Sequence, residues 1–259
     1  MFDRLQGKVT CITGASSGFG EAAAILFAKH GSNLILTARR EDRLKKVSEV
    51  ISAEYPTVKV HIIKMDVSDH ELVIESFKKL PSWAKDIDIL VNNAGQSYGL
   101  DLVKDVPEST IDLVFNTNVK GLIFVSQQVL PSMLERNSGH IINVGSIAGQ
   151  TAYPNGSIYC ASKFAVHAIS DSLRIETNST KIRVSEINPG MAETEFSLVR
   201  FDGDEERAGN VYKGIEPMTA DDIAEIIAFT ASTHPRCVVS NVTALANGQA
   251  NPFIVHRDL

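Results

Sequence analysis

The stretch Val9-Thr10-Cys11-Ile12-Thr13-Gly14-Ala15-Ser16-Ser17-Gly18-Phe19-Gly20 decides the fold. Val9 to Thr13 is a run of apolar and β-branched residues of strand length, and a helix-period stretch from Gly18 to about His30 follows it. The turn between them has the spacing G-x-x-x-G-x-G. Gly14 permits a tight turn, Gly18 lets backbone approach a phosphate, and Gly20 lets the helix pack closely on the strand. A helix that starts there offers unpaired N–H groups and partial positive charge to a pyrophosphate. Thr13, Gly14, Ser16, Ser17, Gly18, Phe19 and Gly20 are therefore candidate nucleotide-binding residues.

The same alternation continues outward from this unit. Strands are expected at 34–37, 58–63, 87–91, 140–144, 182–187 and 240–245. Helices are expected at about 42–55, 69–80, 110–135 (interrupted or bent near Pro131), 157–178 and 221–232. Continuous apolar strands separated by helices imply a mostly parallel sheet covered on both faces. Right-handed crossovers then make it doubly wound: seven strands, α/β, in one domain over 1–259. The segment 191–214 departs from the pattern. It is polar, charged and poorly periodic, and a connection of that length is expected to be a lid or substrate-binding loop.

The totals narrow the function. A chain of 259 residues with 44% hydrophobic and 22% charged residues suits one large packed domain. A formal net charge of −6 without a basic run argues against nucleic acid as a partner. Cys11, Cys160 and Cys237 have neither disulfide-framework nor metal spacing, which fits a reducing compartment such as the cytoplasm. No membrane-length apolar run, no secretory h-region after Met1-Phe2-Asp3-Arg4 and no retention signal in His256-Arg257-Asp258-Leu259 is found. The seven histidines form no H-E-x-x-H pair, so no catalytic metal is expected.

Three strand ends add to the nucleotide site. The second strand runs into Ala38-Arg39-Arg40. Sites for NAD usually place an acid there to hold the ribose hydroxyls, whereas arginine can pair with a 2′-phosphate. Arg39 and Arg40 without that acid point to NADP. Asp66-Val67 follows the third strand, where the carboxylate could accept from the adenine amino group or cap the next helix, a role open also to Ser68 and Asp69. Asn92-Asn93-Ala94-Gly95 follows the fourth strand, and either a plain turn or a ligand edge suits it.

Ser146 to Lys163 carries the chemistry. Tyr159 and Lys163 stand at i and i+4 on one helical face. A neighbouring ammonium lowers the pKa of an acid, and a tuned tyrosine can pass a proton to or from an alcohol oxygen. Ser146, on a separate segment, could bond the same oxygen.

Thr13 to Gly20, Asn92 to Gly95, Asn118, Ser146, Tyr159, Lys163 and Pro189-Gly190 together resemble the short-chain dehydrogenase/reductase family, in order and spacing across nearly the whole chain. The resemblance implies a Rossmann-type domain that binds NAD(P) and moves hydride between a nicotinamide and a carbonyl or alcohol carbon. It makes Tyr159 the general acid/base. Lys163 lowers the Tyr159 pKa and bonds the nicotinamide ribose, and Ser146 polarises the substrate oxygen. Asn118 helps hold a proton-relaying water, Pro189 and Gly190 flank the nicotinamide, and Thr194 bonds its carboxamide. Asn93, Ala94 and Gly95 join the cofactor set. The resemblance also implies a homotetramer built through the helices at 110–135 and 157–178.

A narrower likeness, in Asp86 to Gly95, Tyr153 to Val166 and Glu193 to Phe201, is to the NADP-dependent 3-hydroxy acid dehydrogenases, similar in activity to serine and L-allo-threonine dehydrogenases. Substrates would be small 3-hydroxy and 3-oxo acids. Such an acid needs a cation for its carboxylate, and Arg200 in the 191–214 loop can grip it with two hydrogen bonds. Arg200 could instead pair with the acidic run Asp202, Asp204, Glu205 and Glu206, itself read as a solvated helix start. Two other functions stay open: reduction of other ketones or 3-oxoacyl compounds, and NADP(H) binding without chemistry.

Overall fold

β1 (Val9–Thr13) is buried along its whole length, so both of its faces must be covered. Its side chains alternate between two cores, Ile12 in one and Cys11 in the other. The same period of two recurs in β2 (Asn33–Ala38), β4 (Ile89–Asn92) and β5 (Gly139–Val144). Leu34, Leu36, Val91 and Ile142 join Ile12, while Ile35, Leu90 and Ile141 join Cys11. With β3 (Val60–Lys64), β6 (Ile182–Pro189) and β7 (Asn241–Ala244) these strands form one parallel sheet in the order β3-β2-β1-β4-β5-β6-β7. This is the expected doubly wound, Rossmann-type α/β sheet of seven strands. The computed structural model describes residues 2–258. The two end positions of the expected domain, and the ends of the terminal stretches read for targeting signals, lie outside the described residues.

In chain order the helices are α1 (Gly18–Lys29), α2 (Glu41–Glu54), α3 (His70–Lys78), α4 (Glu108–Phe115), α5 (Leu122–Arg136), α6 (Ser157–Glu176), α7 (Glu195–Arg200), α8 (Glu205–Asn210) and α9 (Ala220–Ser232). Phe27 of α1, Leu44 and Ile51 of α2, and Ile223 and Ile227 of α9 fill the core on the Ile12 side. Val73 of α3 and Val125, Val129 and Met133 of α5 fill the opposite core. Burying each large side chain is worth roughly 1.5–3 kcal/mol, so both faces contribute to closing the sheet. Among the described residues no helix is long and apolar enough to cross a membrane.

The expected helix over 110–135 requires a correction. It does not break near Pro131, which lies inside α5 on the solvent side, where a carbonyl left without its N–H partner can bond water. The interruption is a π-helical turn over Asn116–Gly121, between α4 and α5. Two contacts shape that turn. The Asn118 side chain is drawn to the backbone of Gln96, and Gly121 packs so close to Val67 that a Cβ would stand 2.6 Å from its Cγ2. Such turns inside helices concentrate at functional sites.

The chain order reverses between β1 and β4, and the crevice this leaves opens at the carboxyl ends of the strands, where ligands bind in such sheets. The segment 191–214 contains α7 and α8, and of the two α7 lines this edge, through Glu195, Phe196, Ser197, Val199 and Arg200.

Candidate functional site

A cleft of about 570 Å³ runs along the carboxyl edge of the sheet. The glycine turn forms one wall. Gly14 and Gly18 have φ of +67° and +55°, a left-handed backbone that side-chain-bearing residues rarely adopt. A Cβ on Gly20 would stand 2.5 Å from the Gly14 carbonyl oxygen, so only glycine lets α1 start there. Two expected members of the cofactor set act from behind this wall. The Thr13 hydroxyl accepts from the N–H groups of Asn93 and Ala94, both at 3.0 Å. The Asn93 amide donates to Thr13 O at 2.9 Å and Gly14 O at 3.2 Å. Thr13 and Gly20 shape the turn without lining the cleft, whereas Gly14, Ser16, Ser17, Gly18, Phe19, Asn93, Ala94 and Gly95 line it.

Ala38, with its small side chain, occupies the strand end where an acid would hold a ribose. Arg39 and Arg40 both line the cleft and are exposed, but they differ in their ties. Arg40 donates to Ser17 Oγ at 2.7 Å, to Ser16 Oγ at 3.3 Å and to Glu195 Oε2 at 2.9 Å. Arg43 also pairs with Glu195. Arg39 has no hydrogen-bond or ion-pair partner among the described residues, so its guanidinium is free for an anion. Asp66 does not cap α3, because Asp69 does, accepting from Leu72 N at 3.0 Å. Asp66 Oδ1 instead accepts from the N–H and hydroxyl of Ser68, beside Val67 in the cleft. A turn of glycine backbone, a missing acid and an uncommitted arginine fit a 2′-phosphorylated dinucleotide.

Ser146, Tyr159 and Lys163 meet at the other end of the cleft. Lys163 is buried and donates from Nζ to the Val144 carbonyl at 2.8 Å. Burial pushes its ammonium down to about 8, with the Glu186 carboxylate opposing. Burial pushes the Tyr159 phenol up to about 12 and Tyr153 adds to this, while Arg200 and the nearby Ser146 hydroxyl pull it back. Lys163 makes no hydrogen bond to the phenol among the described residues. Its Nζ is pinned to Val144 O, 5.8 Å from the centre of the tyrosine ring, and the cation that acts on the phenol is Arg200. Ser146 N is held by Asn188 Oδ1 at 2.9 Å, and its Oγ accepts from Ala148 N at 3.1 Å.

Asn118 is buried behind this group. Its Oδ1 accepts from Gln96 N at 2.8 Å, and its Nδ2 donates to Gln96 O and Ser162 Oγ. The side chain is thus committed to protein partners and does not line the cleft. Thr194 is also occupied: its hydroxyl caps α7 by accepting from Phe196 N at 3.2 Å, with its methyl group near Gly18. Pro189 and Gly190 line the cleft, and Gln249 packs so tightly on Gly190 that a Cβ would stand 2.2 Å from its Oε1.

Arg200 does not pair with the acidic run. Asp204 caps α8 by accepting from Arg207 N, which bears out the helix start read from the sequence. The Arg200 guanidinium lies 5.1 Å from the Tyr159 ring centre and 5.2 Å from that of Phe196. It donates to Tyr153 OH at 3.0 Å and Ser97 Oγ at 3.3 Å. The sequence pattern did not single out roles for Tyr153, Phe196, Tyr212, Gln96 or Arg257, all of which line the cleft. None has a spacing that announces it; they meet only because α7, the segments after β4 and α8, the segment before α6 and the carboxyl-terminal stretch converge there.

Comparison with known proteins agrees with this geometry. The model of the short chain dehydrogenase family matches residues 8–204, and the chain belongs to that family. It is an NADP-dependent oxidoreductase. It is 41% identical over 255 residues to the NADP-dependent 3-hydroxy acid dehydrogenase of Schizosaccharomyces pombe, covering 98% of each chain. It is 40% identical over 252 residues to sulfoacetaldehyde reductase 2 of Chromohalobacter salexigens, covering 96% of this chain and 99% of the relative. The closed form of a serine dehydrogenase complexed with NADP+ superimposes with a TM-score of 0.90 at 34% identity, over 96% of this chain and all of that one.

Proposed function

We propose that the protein transfers hydride between NADP(H) and C3 of small 3-hydroxy and 3-oxo acids of the serine, L-allo-threonine and 3-hydroxyisobutyrate type, with Tyr159 as general acid/base. One observation carries the reading. A guanidinium faces the proton-transferring ring at 5.1 Å, close enough for one short molecule to touch both. Arg200 and the Tyr153 hydroxyl grip the carboxylate, which leaves the reacting oxygen between Ser146 and Tyr159.

When bound, NADP(H) supplies or receives the hydride. The protein's own residues do the rest. Gly14 to Gly18 bring backbone N–H groups and the start of α1 to the pyrophosphate. Arg39 takes the 2′-phosphate, joined by Arg40, and Asp66 and Val67 border the adenine. Lys163 bonds the nicotinamide ribose, Pro189 and Gly190 flank the ring, and Thr194 bonds the carboxamide. The Ser146 hydroxyl holds the substrate oxygen. In reduction the protonated Tyr159 donates to the forming alkoxide, and in oxidation it must first give up its proton. Asn118, by fixing Gln96 and the π-turn, shapes the water path that returns the proton to solvent.

A second reading, reduction of a short anionic aldehyde or ketone, rests on the same guanidinium, which can hold a sulfonate as well as a carboxylate beside the Tyr159 ring. The sulfoacetaldehyde reductase relative acts on a molecule of that kind. The assembly belongs to the proposal too: Leu113 on α4, Leu134 on α5, and Phe164 and Ile175 on α6 are exposed apolar residues on the helices through which a homotetramer would form. A cytoplasmic location suits the three free cysteines.

Initial rates with NADP and NAD on L-serine, L-allo-threonine, 3-hydroxyisobutyrate and a simple secondary alcohol, and with NADPH and NADH on sulfoacetaldehyde, test the reading. Turnover of the acids with NADP supports it. Turnover of the uncharged alcohol alone would discard the hydroxy-acid assignment and keep the proton-transfer group.

A further inference from the structure

Glu186 stands in the middle of β6 with a fully buried side chain, and the proposed chemistry does not use it. A buried carboxylate is costly unless it is paired and hydrogen-bonded. Its Oε2 is held by His167 Nδ1 at 2.7 Å and Asn241 Nδ2 at 3.2 Å. Its Oε1 has no hydrogen-bond partner among the described residues and lies against Gly145, where a Cβ would stand 2.6 Å from it.

The position of Gly145 gives this carboxylate its reach. Val144, just before, holds Lys163 Nζ by its carbonyl. Ser146, just after, donates its N–H to Asn188, whose Nδ2 donates in turn to Asn241 Oδ1 at 3.2 Å. His167 continues the face of α6 that carries Tyr159 and Lys163, each four residues apart, and it is 38% exposed. Resting on that proposed chemistry, we propose that Glu186 is a positioning residue: a buried counter-charge that keeps Lys163 cationic from behind Gly145. Through Asn241 and Asn188 it also sets the direction of Ser146, with His167 anchoring it to the surface.

The charged and titratable groups around it are few. On α6 they are Lys163, His167 and Asp171, the last 3.8 Å from His167 Nε2 and paired with Arg174. Asn241 on β7 is neutral, and so are Asn188 and Ser185 on β6. Tyr159 is the further group that Lys163 faces. Glu186 opposes the fall in the Lys163 pKa that burial causes.

Titration of the folded enzyme without NADP or substrate, labelled with ε-13C lysine and with Lys163→Arg assigning the resonance, reads this directly. In Glu186→Gln the Lys163 midpoint should fall by about one pH unit, a tenfold change in its ionisation equilibrium. In Asn188→Asp, which adds a carboxylate to the same row, it should rise. An unmoved midpoint in the Glu186→Gln protein overturns the proposal. Should that variant not fold, an unmoved midpoint in Asn188→Asp does so. Because the titration needs no turnover, it stands apart from the substrate assignment, and a failed rate panel would leave it intact.

Discussion

Arg200→Leu tests the substrate reading where the structure makes it most exposed. The guanidinium has two separable effects. It covers the Tyr159 ring at 5.1 Å and pulls the phenol's pKa down, which acts on every substrate alike. In the proposed complex it also holds the carboxylate in a two-pronged bond, which acts only on acids. Removing one partner of a desolvated charge pair costs about 2–5 kcal/mol. At about 1.4 kcal/mol per tenfold, kcat/KM for the acids should fall roughly 30- to several-thousand-fold relative to an uncharged alcohol. The ring contact, worth about 0.5–1 kcal/mol at exposed sites, cancels in that ratio. Arg200→Lys keeps a charge but loses the planar fork, so its ratio should fall between the two. The assay is kcat/KM for a 3-hydroxy acid and for a neutral secondary alcohol, in wild type and both variants. Equal losses on the acid and the alcohol would refute carboxylate binding and leave Arg200 as a group that tunes Tyr159.

Arg39→Ala should weaken NADP by about 10- to 100-fold, the roughly 1.5–3 kcal/mol of a charged hydrogen bond, and leave NAD unchanged, as read by cofactor titration. Glu195→Gln releases Arg40 and Arg43 from a competing carboxylate, so NADP should bind severalfold more tightly in the same titration; weaker binding would mean that Glu195 positions these arginines instead. Tyr159→Phe should lower turnover about 100- to 10,000-fold in stopped assays while NADPH fluorescence titration stays at the wild-type value. Oxidation needs the Tyr159 proton gone, and the phenol sits far above neutrality. The oxidation rate should therefore climb with pH through and above neutrality, while reduction, which needs that proton present, shows no such rise.

The sequence by itself determined the sheet. A strand buried on both faces is apolar at most positions, and a helix must repeat its apolar face every three to four residues. β1 to β7 and the long helices therefore show locally, within a residue or two at most boundaries. The glycine turn is equally local, because positive φ at Gly14 and Gly18 and the 2.5 Å approach at Gly20 are demands on single residues. The helix break was misplaced because Pro131 is a local signal. The turn at Asn116–Gly121, in contrast, follows from contacts with Gln96 and Val67, distant in sequence. Only the tertiary structure decided how the side chains were spent. Asn118 and Asn93 look like ligand donors in the sequence, yet their polar atoms satisfy backbone groups that burial would otherwise leave unpaired. Arg40 and Arg39 read alike, but α7 brings Glu195 to one and leaves the other free. The electrostatics of Tyr159 belong to the tertiary structure as well. Charge acts through space, and the cation that reaches the phenol comes from Arg200, 41 positions along the chain, while Lys163, one helical turn away, turns to Val144.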